Sequence, residues 1–409
     1  MYLGLKEKPD FQNLPFCDEI KGLKSIYDIA FHSMNRQLSI INSEHHEHQQ
    51  LSRHHAGGIG SRFWPMSTAE KPKQFLDVLG TGKTLLQQTV HRFRNIVPTE
   101  NIYIVTSTNY QQLVLEQIPE LTPGQILLEP CMRNTAPCIA YAAWKINNLN
   151  PEANIVVAPS DHLITDESQF GRVIQTGLSF TKTTDTLLTL GMKPHRPDTG
   201  YGYIQADETE HRSILSPRTP FPIHPVKAFK EKPNRETAEQ YLDEGSYYWN
   251  SGIFIWSAHS IIKAIRVYVP EIAKIFDRDE EAFYPENEQA FINENFPTCP
   301  KVSIDYGIME RAVNIFVLPA DFGWSDLGTW GSLWEKRKHS HDGNTVVGSG
   351  VHLFECSDTI VNVPNERPMV LQGLEDYIVA EANGILLVCR KKEEQRIKDF
   401  RKQVTLQNH

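Results

Sequence analysis

Asn154-Ile-Val-Val-Ala-Pro-Ser-Asp-His162 is an apolar run closed at once by turn residues and a carboxylate. Two further short apolar runs have the same shape, Asn101-Ile-Tyr-Ile-Val-Thr106 and Thr186-Leu-Leu-Thr-Leu190. Helical spacing lies between them, at Thr84 to Arg94, Asn109 to Gln117 and Ala136 to Asn147. Short strands without alternation are apolar on both faces, so the pattern predicts an α/β fold whose mostly parallel sheet is covered by helices on both sides. In such sheets ligands bind at the carboxyl ends of the strands, where Asp161 falls. From about residue 343 the pattern changes to Gly-punctuated β segments: Asn344-Thr-Val-Val-Gly, Gly350-Val-His-Leu-Phe, Thr359-Ile-Val-Asn-Val, Tyr377-Ile-Val-Ala and Gly384-Ile-Leu-Leu-Val-Cys389. A small β domain closed by a charged helix at Lys391 to Lys402 is expected there.

Composition bounds the function. The 409 residues exceed one small core, and 40% hydrophobic with 22% charged is ordinary for a globular chain. A net charge of -9 offers no footprint for nucleic acid and no polybasic membrane patch. Any phosphate chemistry must therefore concentrate its cations locally or recruit a metal. The six cysteines, Cys17, Cys131, Cys138, Cys299, Cys356 and Cys389, lack metal-pair spacing and read as free thiols. With no secretory core and no membrane-length apolar run, a cytoplasmic location is expected.

Ala56-Gly-Gly-Ile-Gly-Ser-Arg62, followed by Pro65 and Lys71-Pro-Lys-Gln-Phe-Leu76, supplies those local cations. Gly57, Gly58 and Gly60 let backbone N–H groups, with Ser61, approach phosphate oxygens that a Cβ would hold away. Arg62 and Lys73 bring the positive charge. Gly80-Thr-Gly-Lys-Thr84 only imitates a Walker loop, because Asp77 stands where that motif needs glycine.

A phosphate loop in a parallel sheet normally follows a buried strand. Here it follows Ser52-Arg-His-His55, and Ser43 to His55 has no apolar face at either period. Read one base later, the codons for Gln50 to His55 can encode Asn-Tyr-Leu-Val-Ile-Met, an apolar strand. Residues 1–55 are accordingly expected to be a non-native or disordered leader, with a base lost just before Ala56. The α/β core is then 56–340 and the β domain with its terminal helix 341–409. The stakes are large, since burying five apolar side chains at roughly 1.5–3 kcal/mol each rivals a net stability of about 5–15 kcal/mol.

The ordered motifs from Ala56 to about Trp334 resemble the bacterial mannose-1-phosphate guanylyltransferases, within the wider sugar nucleotidyltransferases. These include Glu129-Pro-Cys-Met-Arg-Asn-Thr-Ala-Pro137, Pro159-Ser-Asp-His162, Asp198-Thr-Gly-Tyr-Gly-Tyr-Ile204, Phe229-Lys-Glu-Lys-Pro233, Trp249-Asn-Ser-Gly-Ile-Phe254 and Trp324-Ser-Asp-Leu-Gly-Thr-Trp330. The resemblance implies a Rossmann-like core and the joining of mannose 1-phosphate to GTP. It implies Mg²⁺ held by Asp161 and Asp326, with Arg62 and Lys73 as catalytic cations. Glu129 would read guanine, since a carboxylate accepts from N1–H and N2–H together, and Asn134 would stand beside it or cap the following helix. Gly202 would open the hexose loop, Glu231 and Asn250 would bind sugar hydroxyls, and Lys232 would hold the sugar phosphate. Asp305, in Ser303-Ile-Asp305, ranks below these, and His162 reads as structural. Partners would be GTP and mannose 1-phosphate, with a homo-oligomer open, and without nucleic acid or membrane. The alternatives are the same reaction on another sugar phosphate or nucleotide, or a catalytically impaired homologue that binds nucleotide sugar.

Overall fold

The computed structural model describes residues 37–42, 61–208, 221–278, 280–365 and 368–407. Their main sheet comprises β1 (Gln37–Asn42), β2 (Ile102–Ser107), β3 (Ile126–Glu129), β4 (Asn154–Pro159), β5 (Leu187–Met192), β6 (Tyr203–Ala206), β7 (His224–Lys230), β8 (Tyr247–Ser257) and β9 (Ile315–Ala320). The spatial order is β3-β2-β1-β4-β8-β5-β9-β7-β6. Parallel pairing joins β3, β2, β1 and β4, and also β5 with β9. The long strand β8 runs antiparallel between β4 and β5, and β6 and β7 are antiparallel to their neighbours. The sheet is thus mixed, its parallel half being the part the apolar runs announce.

Those runs are apolar throughout because both faces are covered. On β4, Ile155 and Val157 join one core with helix residues Ala136 to Ile146, while Val156 and Ala158 join the other with Leu86, Val90 and Phe93. Among the helices are α1 (Leu85–Arg94), α2 (Gln111–Gln117) and α3 (Thr135–Leu149), close to the expected limits, and α4 (Glu167–Thr181). Thr84 begins α1 with a capping box, its side chain accepting from Gln87 N–H and Gln87 answering at Thr84 N–H.

The strand in the middle of the parallel half is a departure from expectation. β1 lies inside the stretch assigned to a leader, yet pairs with β2 (Ile41 with Ile104) and with β4 (Ile41 with Ala158). The physical reason is the ladder itself: β2 and β4 each present a row of N–H and C=O groups toward this slot, and a gap would leave both rows unmet. Gln37-Leu-Ser-Ile-Ile-Asn42 is short and apolar enough to fill it. Residues 50–55, where the alternative reading frame places its strand, lie outside the described residues, as does Cys17. Cys131, Cys138, Cys299, Cys356 and Cys389 are free thiols.

Beyond α5 (Arg235–Glu244), α6 (Ala258–Tyr268), α7 (Pro270–Phe276), α8 (Glu288–Asn295) and α9 (Trp330–Lys336), the chain winds as a coil of short strands. β10 (Thr345–Val347), β12 (Ile360–Asn362) and β14 (Tyr377–Ala382) pair in parallel in one sheet, and β11 (Val351–Phe354) pairs in parallel with β13 (Met369–Gln372) in another. Val361, Val363 and Val379 fill the coil against Val351, Leu353, Met369 and Leu371. β15 (Ile385–Arg390) turns back antiparallel on β14, and a 3-10 turn (Lys391–Arg396) leads into α10 (Ile397–Gln407). No helix of the described residues is long and apolar enough to cross a membrane.

Candidate active site

Asp161 follows the carboxyl end of β4, and a pair of backbone hydrogen bonds decides what it meets. Leu163 N–H donates to Ser325 O at 2.9 Å and Ser325 N–H returns to Leu163 O at 3.0 Å. This bridge ties residues 161–163 to 325–326, so Asp161 and Asp326 converge although they are far apart in sequence. Lys73 enters between them from the short turn Lys73–Phe75. Its Nζ lies 3.0 Å from Asp161 Oδ2 and donates to the Asp326 backbone oxygen at 2.6 Å. The Lys73 residue is 3% exposed, so its charge is expressed in a poorly screened setting.

The Asp326 side chain is also held. Its Oδ1 accepts from the Tyr201 hydroxyl at 2.8 Å and from Gly328 N–H at 2.9 Å. A Cβ on residue 328 would stand 2.6 Å from Asp326 Oδ2, so the turn requires glycine. Tyr201 is wedged edge-on between Trp249 and Trp324, ring centroids 5.0 and 5.2 Å away. Burial, with the charges of Asp326 and Asp198, holds its phenol above the ordinary range, and it remains a donor. Trp324 Nε1 in turn donates to His162 Nδ1 at 3.1 Å, which makes His162 an acceptor within the same wall.

A cleft opens from Asp326 between β4, β8 and the start of α3. Asn134, Gly202, Glu231, Lys232, Asn250 and Asp326 line it, together with Asp305 and His162. Six residues singled out in the sequence are therefore brought to one place. Asn250 Nδ2 donates to Asp305 Oδ1 at 2.9 Å, while its own Oδ1 accepts from Gly252 N–H at 3.1 Å, which fixes the amide's orientation. Glu231 is pushed up to about 7 by burial and then by the nearby negative charge of Asp305, against the pull of Lys232, whose Nζ is 3.4 Å away. Gly202 runs so close that an added Cβ would lie 2.4 Å from Glu231 Oε2. Asn134, at φ 71°, caps α3 by accepting from Thr135 N–H at 2.8 Å, so it both ends the loop and borders the cleft.

The other expected residues stand elsewhere. Glu129, at the end of β3, is 1% exposed and does not border the cleft. Arg62 Nε donates to Gln395 Oε1 at 2.9 Å, facing the C-terminal β segments. Ser61 opens the turn Ser61–Phe63, and Gly57, Gly58 and Gly60 lie outside the described residues. Tyr201 has no signal of its own in Asp198-Thr-Gly-Tyr-Gly-Tyr, whose glycines mark only a loop. Nothing local to Asp305 in the sequence shows its contact with Asn250.

Two carboxylates with oxygen donors suit a hard divalent cation that keeps water or phosphate in its remaining positions. No group of three or more His, Cys, Asp or Glu side chains suited to a metal occurs among the described residues. An ion held by these two carboxylates would take its remaining oxygens from substrate or water.

Comparison with known proteins gives the family. Residues 56–343 match the family described as Nucleotidyl transferase. A mannose-1-phosphate guanylyltransferase of Escherichia coli (strain K12) is 35% identical over 85% of this chain and 72% of its own length. One from Salmonella montevideo is 36% identical over 86% of this chain and 73% of its own. A crystal structure from Thermus thermophilus, described as a mannose-1-phosphate geranyltransferase, superposes with TM-score 0.74 at 26% identity, covering 90% of this chain and 99% of that one.

Proposed function

We propose that this chain, which belongs to the nucleotidyl transferase family and within it to the mannose-1-phosphate guanylyltransferases, joins mannose 1-phosphate to GTP and releases diphosphate, forming GDP-mannose. The observation that carries the reading is the meeting of Asp161 and Lys73 with Asp326, which itself borders the cleft lined by Glu231, Lys232 and Asn250.

The attacking group is a phosphate oxygen of the sugar phosphate, anionic at neutral pH, so no protein nucleophile is needed. It forms a bond to the α-phosphorus of the triphosphate in line, and the bond to the bridging oxygen breaks with its electron pair leaving on diphosphate. Catalysis then rests on positioning and on charge placed where it develops. Lys232 holds the attacking phosphate, while Asn250 and Glu231 bind sugar hydroxyls. Near neutral pH the Glu231 carboxyl is close to half protonated and can both donate and accept. Lys73 and Arg62 meet the charge on the departing diphosphate. The family generally uses a divalent metal; Mg²⁺ held by Asp161 and Asp326 would supply charge neutralisation to the phosphate oxygens. The choice of guanine draws on the relatives and not on Glu129, whose carboxylate is buried.

The test crosses GTP, ATP, UTP, CTP and dTTP with hexose 1-phosphates and reads diphosphate release. GTP with mannose 1-phosphate is expected to lead, and Asp161→Asn or Asp326→Asn to lose about a hundredfold or more, as when a group stabilising the transition state is removed. Preference for UTP or dTTP would overturn the guanylyl assignment. Binding of GDP-mannose without any release would favour the impaired homologue instead.

A further inference from the structure

Arg62 sits on a turn that belongs as much to the C-terminal segment as to the main sheet. The next residue, Phe63, is fully buried, its ring 5.3 Å from that of Trp330, in a core completed by Ile360, Ile378, Leu387 and Ile397. Phe400 and Val404 of α10 pack on the same core. Polar ties run alongside: Asn383 Nδ2 donates to Pro65 O at 3.3 Å, and buried Arg337 Nε donates to Val78 O at 3.1 Å while its Nη2 reaches Asn362 Oδ1 at 2.6 Å. Glu394 Oε2 accepts from Gly331 N–H at 2.7 Å, which anchors the turn Lys391–Arg396. Burial raises the Glu394 carboxyl, and the Arg62 charge is among the influences that oppose this. The neighbouring Gln395 accepts from Arg62 Nε.

We propose that Gln395, presented by the turn Lys391–Arg396 that follows β15, is a positioning residue for Arg62 in triphosphate binding. This rests on the function proposed above, in which Arg62 serves the nucleotide's phosphates. A guanidinium is a rigid plane with its N–H groups in fixed directions, on a long flexible stem. One bond at Nε fixes the plane and therefore the direction of the terminal fork, which is the part suited to paired phosphate oxygens. The anchored neighbour Glu394 holds the backbone from which Gln395 extends. The C-terminal coil thus acts on the nucleotide without touching it.

The experiment compares wild type with Gln395→Ala and Gln395→Glu, each also combined with Arg62→Ala. Calorimetric binding of the triphosphate is measured beside steady-state kinetics with the substrate pair that wild type turns over fastest. Gln395→Ala is expected to weaken triphosphate binding and kcat/KM by about two- to tenfold, the effect of losing one solvent-exposed hydrogen bond, with the KM for sugar phosphate unchanged. Gln395→Glu keeps the acceptor and is expected to restore most of the loss. With Arg62→Ala present, Gln395→Ala should cost nothing more. An unchanged triphosphate affinity in Gln395→Ala overturns the proposal, as does an equal loss with and without Arg62. Binding without turnover in wild type sinks the activity reading and leaves this comparison intact. A wild-type chain that binds no nucleoside triphosphate overturns both.

Discussion

Replacing Tyr201 by Phe removes one oxygen and leaves the ring between Trp249 and Trp324. That oxygen donates to Asp326 Oδ1 at 2.8 Å, beside Gly328 N–H at 2.9 Å. Without it the carboxylate loses one anchor and gains freedom to rotate away from Asp161. A hydrogen bond to a charged group is worth roughly 1.5–3 kcal/mol. Tyr201 is 9% exposed, so water replaces the donor poorly and the lower half of that range is the floor. At about 1.4 kcal/mol per factor of ten, this predicts about a 10- to 30-fold rise in the divalent-ion concentration giving half-maximal rate. The figure agrees with the roughly 10- to 100-fold typical of groups that orient a metal ligand. The assay titrates Mn²⁺ into enzyme saturated with both substrates, following diphosphate release, with free Mn²⁺ read by paramagnetic resonance. Because the aromatic contacts survive, the thermal midpoint should move by no more than a few degrees. A normal metal requirement combined with a raised KM for sugar phosphate would refute the reasoning, placing Tyr201 on the hexose.

Glu231→Gln should change how stability depends on pH. Its carboxyl rises from 4.5 to about 7 on folding, so between those values the native state holds more protons than the unfolded chain. The contribution of this one group to stability is therefore fullest below pH 4.5 and declines as pH rises to about 7. A pH series of thermal midpoints should show that decline in substrate-free wild type and a flatter course in the variant; parallel curves would contradict it. Gly202→Ala places a Cβ 2.4 Å from Glu231 Oε2, and should raise the KM for sugar phosphate about tenfold or more, since small misplacements at a reacting centre can cost as much as a hundredfold, with little change for nucleotide. Equal rises for both substrates would count against a sugar-side role. Ile40→Pro deletes a ladder N–H in a strand paired on both sides, where proline is not tolerated. Cooperative unfolding should be lost. A wild-type melting curve would mean that another segment fills the slot, as the apolar strand of the alternative reading frame would.

The legible parts of the sequence were those whose cause is local. Ile155-Val-Val-Ala158 announced a strand covered on both faces because every one of its side chains is apolar, and the structure divides them between two cores. Asp161 was legible from its place just after that strand. Asp326 was not legible from its own surroundings, because the Leu163–Ser325 bridge that delivers it spans the whole core; only family resemblance supplied the pair. β1 was hidden for a related reason: Gln37-Leu-Ser-Ile-Ile-Asn42 has no marker of its own, and it is the empty edges of β2 and β4 that call for it. Glu129 is the opposite case: its motif suggests a base reader, while the structure shows only that it is buried at its strand end, outside the cleft lining.

The lysine lodged between the two aspartates has a thermodynamic corollary. Its ammonium already satisfies Asp161, so an ion arriving alone must compete with an incumbent that cannot diffuse away. An ion arriving on a triphosphate brings anions toward which Lys73 can turn, and the contest is relieved. Metal and nucleotide should consequently load as one body, each tightening the other; equal ion affinities with and without nucleotide would deny this.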